Sequence, residues 1–275
     1  MKRSTAIAFA VLCAAAPAAA SKASNPAFLG IGMDGGTSGP CTITSVEEGS
    51  GAEAARLQAG DVFERLDGAP VPSCDGLVGM ITSRTPGTVI RLDLRRHGQP
   101  LKVKAELLTR DEILRRRLVG QPMPATELLR VDDRALVDLS AVKRTTIVGW
   151  FPTSCGGCDA VLGAVARWSR ERADRRAPID VVAATADLSL RRSVAESYGQ
   201  LKLAQRSLGL PLLVADFNIY LQFAMKDSDR VHFLVIDARG VVQFVAPIVP
   251  EAEDADAALD ELYAAAEQTA RRTSR

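Results

Sequence analysis

Residues 145–151, TTIVGWF, form an apolar run that leads through Pro152, Thr153 and Ser154 into Cys155-Gly156-Gly157-Cys158. A run without alternation fits a strand covered on both faces. Beyond it, Val161, Leu162, Val165 and Trp168 recur at helical spacing across residues 156–174, and a second apolar run occupies residues 179–184. Strand, helix and strand in that order make a βαβ unit, so the sheet is partly parallel and carries helices on its faces. Both cysteines then fall on the first helical turn, at the end of a central strand. At i and i+3 they share a face, and their sulfurs can bond with little backbone movement. Cys155 lies where the first helical N–H groups lack partners, which favours its thiolate and marks it as the nucleophile. Cys158, one turn deeper, is placed to resolve a mixed disulfide. From spacing alone the pair is also compatible with half a metal site or an inert bridge.

The remainder of this half extends the pattern. Residues 232–237 and 241–245 predict a hairpin turning at Arg239-Gly240. From Asp254, the spacing of Leu259, Leu262 and Tyr263 predicts a closing amphipathic helix. With 275 residues the chain is long enough for two cores. A hydrophobic share of 47% against 24% charged residues sets it among globular proteins.

The first twenty residues combine Lys2 and Arg3, an apolar stretch from Ala6, and small residues at Ala18 and Ala20. This is the pattern of a secretory signal peptide cleaved after Ala20. The stretch is short for a membrane span and Pro17 breaks it, so no stable membrane anchor is expected after cleavage. Leu12 before Cys13 argues against a lipid-modified cysteine. Removing the leader takes the formal charge from +1 to −1, and so weak a charge gives no footing for nucleic acid. Export to the periplasm would place Cys41, Cys74, Cys155 and Cys158 where disulfides persist.

The first half alternates differently. A glycine-rich turn, residues 34–40, precedes a strand at residues 41–46, a short helix at 52–57 and a strand at 61–66 that ends in the Asp67-Gly68 turn. Residues 74–84 put Leu77, Met80 and Ile81 on one helical face, and residues 89–107 predict a hairpin at His97-Gly98. The stretches FLGIG, EEGSGAEAARLQAGDVFERLDGAPV and PGTVIRLDLRRHG resemble bacterial PDZ domains of the kind that accompany HtrA-type proteases. The resemblance covers residues 27–108 and implies an α+β, β-barrel-like domain. It further implies a groove between the first strand and the helix of residues 75–84. There the N–H groups of Leu29, Gly30 and Ile31 would meet a peptide's C-terminal carboxylate, while Leu29, Ile31, Leu77 and Ile81 line the pocket for its last side chain. An apolar stripe of this kind also fits a plain core with an unused groove. In a PDZ arrangement Cys41 and Cys74 lie near the far end of the groove, which implies either a structural disulfide or two separate buried thiols. A bond there would close a loop of about 33 residues and stabilise the domain by roughly 3 kcal/mol.

Residues 109–118, TRDEILRRRL, read as a short charged connector with helical character. After it, VGQPMP, VDLSAVKRTTIVGWF and WFPTSCGGC resemble the thioredoxin superfamily, in particular exported TlpA-like redoxins. The resemblance covers residues 119–272, with looser spacing between Leu188 and Asp227, and implies an α/β thioredoxin fold with a mixed central sheet flanked by helices. It implies exchange of disulfides with protein thiols through Cys155 and Cys158, with no cofactor beyond that pair and no metal. Trp150, Pro152, Arg230 and Val231 would be its neighbours, with Arg230 a source of positive charge. Three positions depart from the pattern: Gly149 stands where many thioredoxins bury a carboxylate, Ser154 where tryptophan is usual, and Val231 where a cis-proline is usual. A trans peptide is expected before Val231, because a non-proline cis bond costs about 3 kcal/mol.

Other chemistries fit less well. Structural zinc takes four ligands, and only His97 and His232 accompany the cysteines. Copper chaperones of the Sco type share the fold and add a histidine, but they space their cysteines by three residues, and His232 should alternate away from the sulfurs. The proline and threonine that peroxiredoxins set before their cysteine are not at matching distances. A non-catalytic PDZ scaffold with a structural disulfide is the rival from another class.

Overall fold

A computed structural model of the protein describes residues 26–35, 39–172, 178–186, 202–224 and 229–273. The leader expected at residues 1–20 lies outside them. Two sheets, each with its own core, organise the chain.

The first sheet is antiparallel throughout. It contains β1 (Ile31–Asp34), β2 (Thr42–Val46), β3 (Val62–Leu66), β4 (Ala69–Pro70), β5 (Val89–Arg96) and β6 (Gln99–Glu106), in the order β1-β2-β3-β5-β6 with β4 against β3. It does not close into a barrel by a ladder; an isolated bridge, Phe28 to Leu108, ties its two ends. Helix α1 (Gly51–Ala54) is shorter than the sequence spacing predicts. It stops because Arg56 turns left-handed, at φ 57°, and the Leu57 N–H folds back onto the Ala52 carbonyl at 3.0 Å. Helix α2 (Cys74–Thr82) starts from Ser73, whose side chain accepts the Gly76 N–H. Leu77 and Ile81 drop from it into a core with Ile43, Phe63, Leu66 and Leu92.

Helix α3 (Arg110–Leu118) is capped by Thr109, which accepts the Glu112 N–H at 3.0 Å. The expected connector is part of the second core, because Leu114 and Leu118 are buried against Leu234 and Val245. Most of its charges lie on the outer side, where Arg115 and Arg116 pair with Glu112, and Arg116 with Glu106.

The second sheet has seven strands: β7 (Glu127–Arg130), β8 (Leu136–Asp138), β9 (Thr146–Trp150), β10 (Asp180–Ala186), β11 (Leu212–Ala215), β12 (Val231–Ile236) and β13 (Val242–Ile248). Their order is β13-β12-β9-β10-β11-β7-β8, with β9, β10 and β11 parallel and the outer neighbours antiparallel. Every residue of β9 and β12 is buried, which is why both read as mostly apolar runs, broken only by Thr146 and His232. Helices α4 (Cys158–Arg170), α5 (described over 202–208) and α7 (Ala255–Thr273) cover one face. Helices α3 and α6 (Phe217–Ala224) cover the other. The CGGC segment thus leaves the end of a central strand and enters α4.

Candidate functional site

Cys155 and Cys158 are joined by a disulfide, with their Cα atoms 5.6 Å apart. The helix begins one turn later than the spacing suggests, which corrects the placing of both cysteines on its first turn. Gly157 is the N-cap with φ 80°, Cys158 is the first helical residue, and Cys155 precedes the cap. Its N–H is held by the Pro152 carbonyl at 3.1 Å. The pair is therefore asymmetric: Cys158 is 1% exposed, whereas Cys155 is only partly covered. Val231 and Phe151 share the core that contains Cys158. No peptide bond among the described residues is cis, including that before Val231.

Alternation along the strands decides which other side chains can reach the sulfurs. Ile147 and Phe151 face α4, while Val148 and Trp150 face α3 and α6. Trp150 stacks on Phe223 at 4.9 Å, so this expected neighbour of the cysteines is an anchor of the opposite core. Gly149 points toward α4, and a Cβ built there would lie 2.6 Å from Leu162 and 2.8 Å from Phe233. The volume a side chain at this position would take is occupied by hydrocarbon. Arg230 is also differently employed than expected. It is 5% exposed and its guanidinium pairs at 2.8 Å with Asp111 of α3 and at 2.8 Å with Asp229, so two carboxylates already balance its charge. That guanidinium holds the Asp229 carboxyl below the usual carboxylate range. His232 alternates to the same side, with Nε2 3.5 Å from Asp111.

The first unit carries its own site. A cavity of about 370 Å³ opens between the segment leading into β1 and helix α2, and Leu29, Gly30, Ile31 and Ile81 line it. Leu77 does not line it; fully buried, it points into the core, and Val78 one residue on takes the cavity wall. At Gly30, φ is 82° and a Cβ would sit 2.1 Å from that of Ser50, so only glycine fits this turn. The carbonyls of Leu29 and Gly30 accept from Ala52 and Glu47, at 3.0 and 2.9 Å. Their N–H groups have no acceptor among the described residues. At the other end, Cys41 and Cys74 are disulfide-bonded, with Cα atoms 4.8 Å apart.

Residues 27–107 match the PDZ domain family. The N-terminal unit is a PDZ domain. Over 67 residues the chain is 39% identical to the periplasmic pH-dependent serine endoprotease DegQ of Escherichia coli (strain K12), spanning 24% of this chain and 15% of that protein. The HtrA-type protease AlgW, solved with a decapeptide, aligns with 31% of this chain and 30% of its own at 20% identity and a TM-score of 0.29. The putative thiol:disulfide interchange protein DsbE from Chlorobium tepidum aligns with 54% of this chain and 97% of its own, at 14% identity and a TM-score of 0.42. The fold of the second unit is thioredoxin-like: a mixed sheet with the cysteine pair at the end of a central parallel strand and helices on both faces.

Sequence reasoning missed one wall of the PDZ cavity. Phe28 and Arg110 line it too, with the Arg110 guanidinium 4.2 Å above the Phe28 ring. Arg110 lies beyond the matched PDZ residues, on the first turn of α3. The available signal was a cation at a helix N-terminus, where the helix dipole disfavours one.

Proposed function

We propose that the protein is an exported thiol–disulfide oxidoreductase acting on protein cysteines through Cys155 and Cys158, with a PDZ groove that binds the C-terminal peptide of a partner. The carrying observation is the asymmetry of the bonded pair, in which Cys155 is accessible ahead of α4 and Cys158 is buried at its first position. Export rests on the leader pattern of residues 1–20 and on two disulfides in one chain. We assign residues 27–108 and 119–272 to the two functional units, joined through residues 109–118.

The chemistry needs no group beyond the cysteines. With the pair reduced, the positive end of α4 stabilises the Cys155 thiolate. That thiolate attacks one sulfur of a partner disulfide, forming a mixed disulfide and expelling a partner thiolate. Cys158 loses its proton to solvent or to the departing thiolate and attacks the Cys155 sulfur. The intramolecular disulfide forms and the second partner thiol is released. Run backward, the same steps oxidise a partner dithiol. Because hydrocarbon fills the space at Gly149, the proton of Cys158 has no buried carboxylate there to receive it.

The reading is tested on the reduced protein by iodoacetamide labelling of each cysteine against pH, and on Cys158→Ala by trapping. Cys155 is expected to titrate below ~8.5 and to accumulate a mixed disulfide with a disulfide-bonded peptide when Cys158 is absent. Titration at the free-thiol value with no trapped adduct overturns the reading.

A further inference from the structure

The PDZ cavity is completed from outside its own domain. Arg115, Arg116 and Arg117 of α3 each face a carboxylate, respectively Glu112, Glu112 with Glu106, and Glu47. Arg110 faces none among the described residues, and no carbonyl takes its N–H groups. Its guanidinium lies over the Phe28 ring, 4.2 Å from the centroid, and stacking on a π face positions a guanidinium while leaving its edge donors available. The same cavity presents the uncommitted N–H groups of Leu29 and Gly30. Glu47, also on the wall, has its charge offset by Arg117 at 3.7 Å. Helix α3 holds Arg110 rigidly, because Leu114 and Leu118 are buried and Asp111 is tied to Arg230. A spare cation, two free N–H donors and an apolar floor together match a carboxylate attached to an apolar side chain.

We infer that Arg110 is the counterion for the terminal carboxylate of the bound peptide, so that the complete binding site comprises the PDZ domain and the first turn of α3. The inference rests on the groove reading given above and adds to it a cation from beyond the matched PDZ residues. A carboxylate seated there accepts N–H bonds from Leu29 and Gly30 on one side and from the Arg110 edge on the other.

The test uses the full-length oxidised protein and fluorescein-labelled heptapeptide pools whose last residue is fixed as Val, Leu or Phe, each made as free acid and as amide. Anisotropy titrations of the wild type are expected to show the acids binding at least tenfold more tightly than the amides. Arg110→Gln should lose about tenfold for the acids and leave the amides unchanged, the loss expected for one charge-assisted hydrogen bond. Arg110→Lys keeps the charge and should recover part of the preference, and unchanged melting curves for both variants exclude misfolding. If Arg110→Gln retains the wild-type acid preference, or if wild type binds acids and amides alike, the assignment of Arg110 fails while the groove reading stands. If wild type binds no pool in either form, both fail.

Discussion

At Gly149 the chemistry and the packing meet in a single missing side chain. Leu162 and Phe233 close to within 2.6 and 2.8 Å of where a Cβ would stand. Overpacking of a well-filled core costs typically 1–3 kcal/mol, so Gly149→Ala should destabilise the second unit by about 2 kcal/mol in urea unfolding. Gly149→Asp adds a buried, unpaired carboxylate and should cost more, rather than restoring a useful proton acceptor. Both tryptophans, Trp150 and Trp168, lie in that unit, so their fluorescence reports its unfolding. A Gly149→Asp protein as stable as wild type would contradict this packing. The placing of Leu29, Gly30, Ile31 and Ile81 around one cavity, and of the cysteines at the end of a strand, was legible because position follows from local spacing and turn chemistry. Trp150 and Leu77 were misplaced because proximity in sequence to a site says nothing about which side of a strand or helix a side chain takes.

Among the elements, α3 departs furthest from its appearance in the sequence. A stretch reading TRDEILRRRL has the composition of a surface connector, yet it packs Ile113, Leu114 and Leu118 inside and buries Asp111. The strands were legible because burial on both faces leaves a mostly apolar run; the burial of α3 was not, because its buried stripe is narrow and its buried ion pair, Asp111 with Arg230, is long-range. The Asp111–Arg230 pair is 9% and 6% exposed at its side chains, and removing Asp111 takes from a buried guanidinium one of its two carboxylates, leaving the more exposed Asp229. Asp111→Asn should therefore cost about 3 kcal/mol, whereas replacing Asp111 and Arg230 together by apolar residues of similar size should cost less. An additive double variant would show that the two residues do not depend on each other. A second pair tests pH dependence in the PDZ sheet. Burial raises the Asp61 carboxyl, but hydrogen bonds from Arg96 at 2.7 and 2.8 Å, one from the Gln58 N–H at 3.0 Å and the Arg96 charge together outweigh it, and the net shift is downward. A folded value below the unfolded one means that the contribution is present above about pH 4 and is lost as pH falls through the folded value. Asp61→Asn should be about 2 kcal/mol less stable at pH 7, with a difference that shrinks in strong acid. A constant difference from pH 7 down to pH 2 would show that the pair contributes nothing to acid sensitivity.

For the whole molecule, the two sites are joined through one helix. Arg110 faces the PDZ cavity, and the next residue, Asp111, pairs with Arg230 immediately before β12, whose first residue Val231 packs in the core with Cys158. Such a joint fixes the distance between groove and sulfurs more firmly than a flexible linker would. On the proposed function, a partner held by its C-terminal tail would meet Cys155 as an intramolecular neighbour, at an effective concentration that reaches millimolar for short tethers. Tethering of this kind strengthens binding of substrate and transition state equally, so it lowers KM and leaves kcat alone. A disulfide-bonded substrate carrying a groove-binding tail should accordingly show a KM roughly tenfold or more below that of the same substrate with an amidated tail. An excess of free tail peptide should abolish the difference without changing kcat, and Arg110→Gln should narrow it in proportion to its loss of tail affinity. Geometry sets the limit: a tail too short to span the two sites gains nothing, so a series of spacer lengths between tail and disulfide should pass through a minimum in KM. Equal KM values at every spacer length, with tail binding demonstrated in parallel, would mean that groove and cysteines serve different partners.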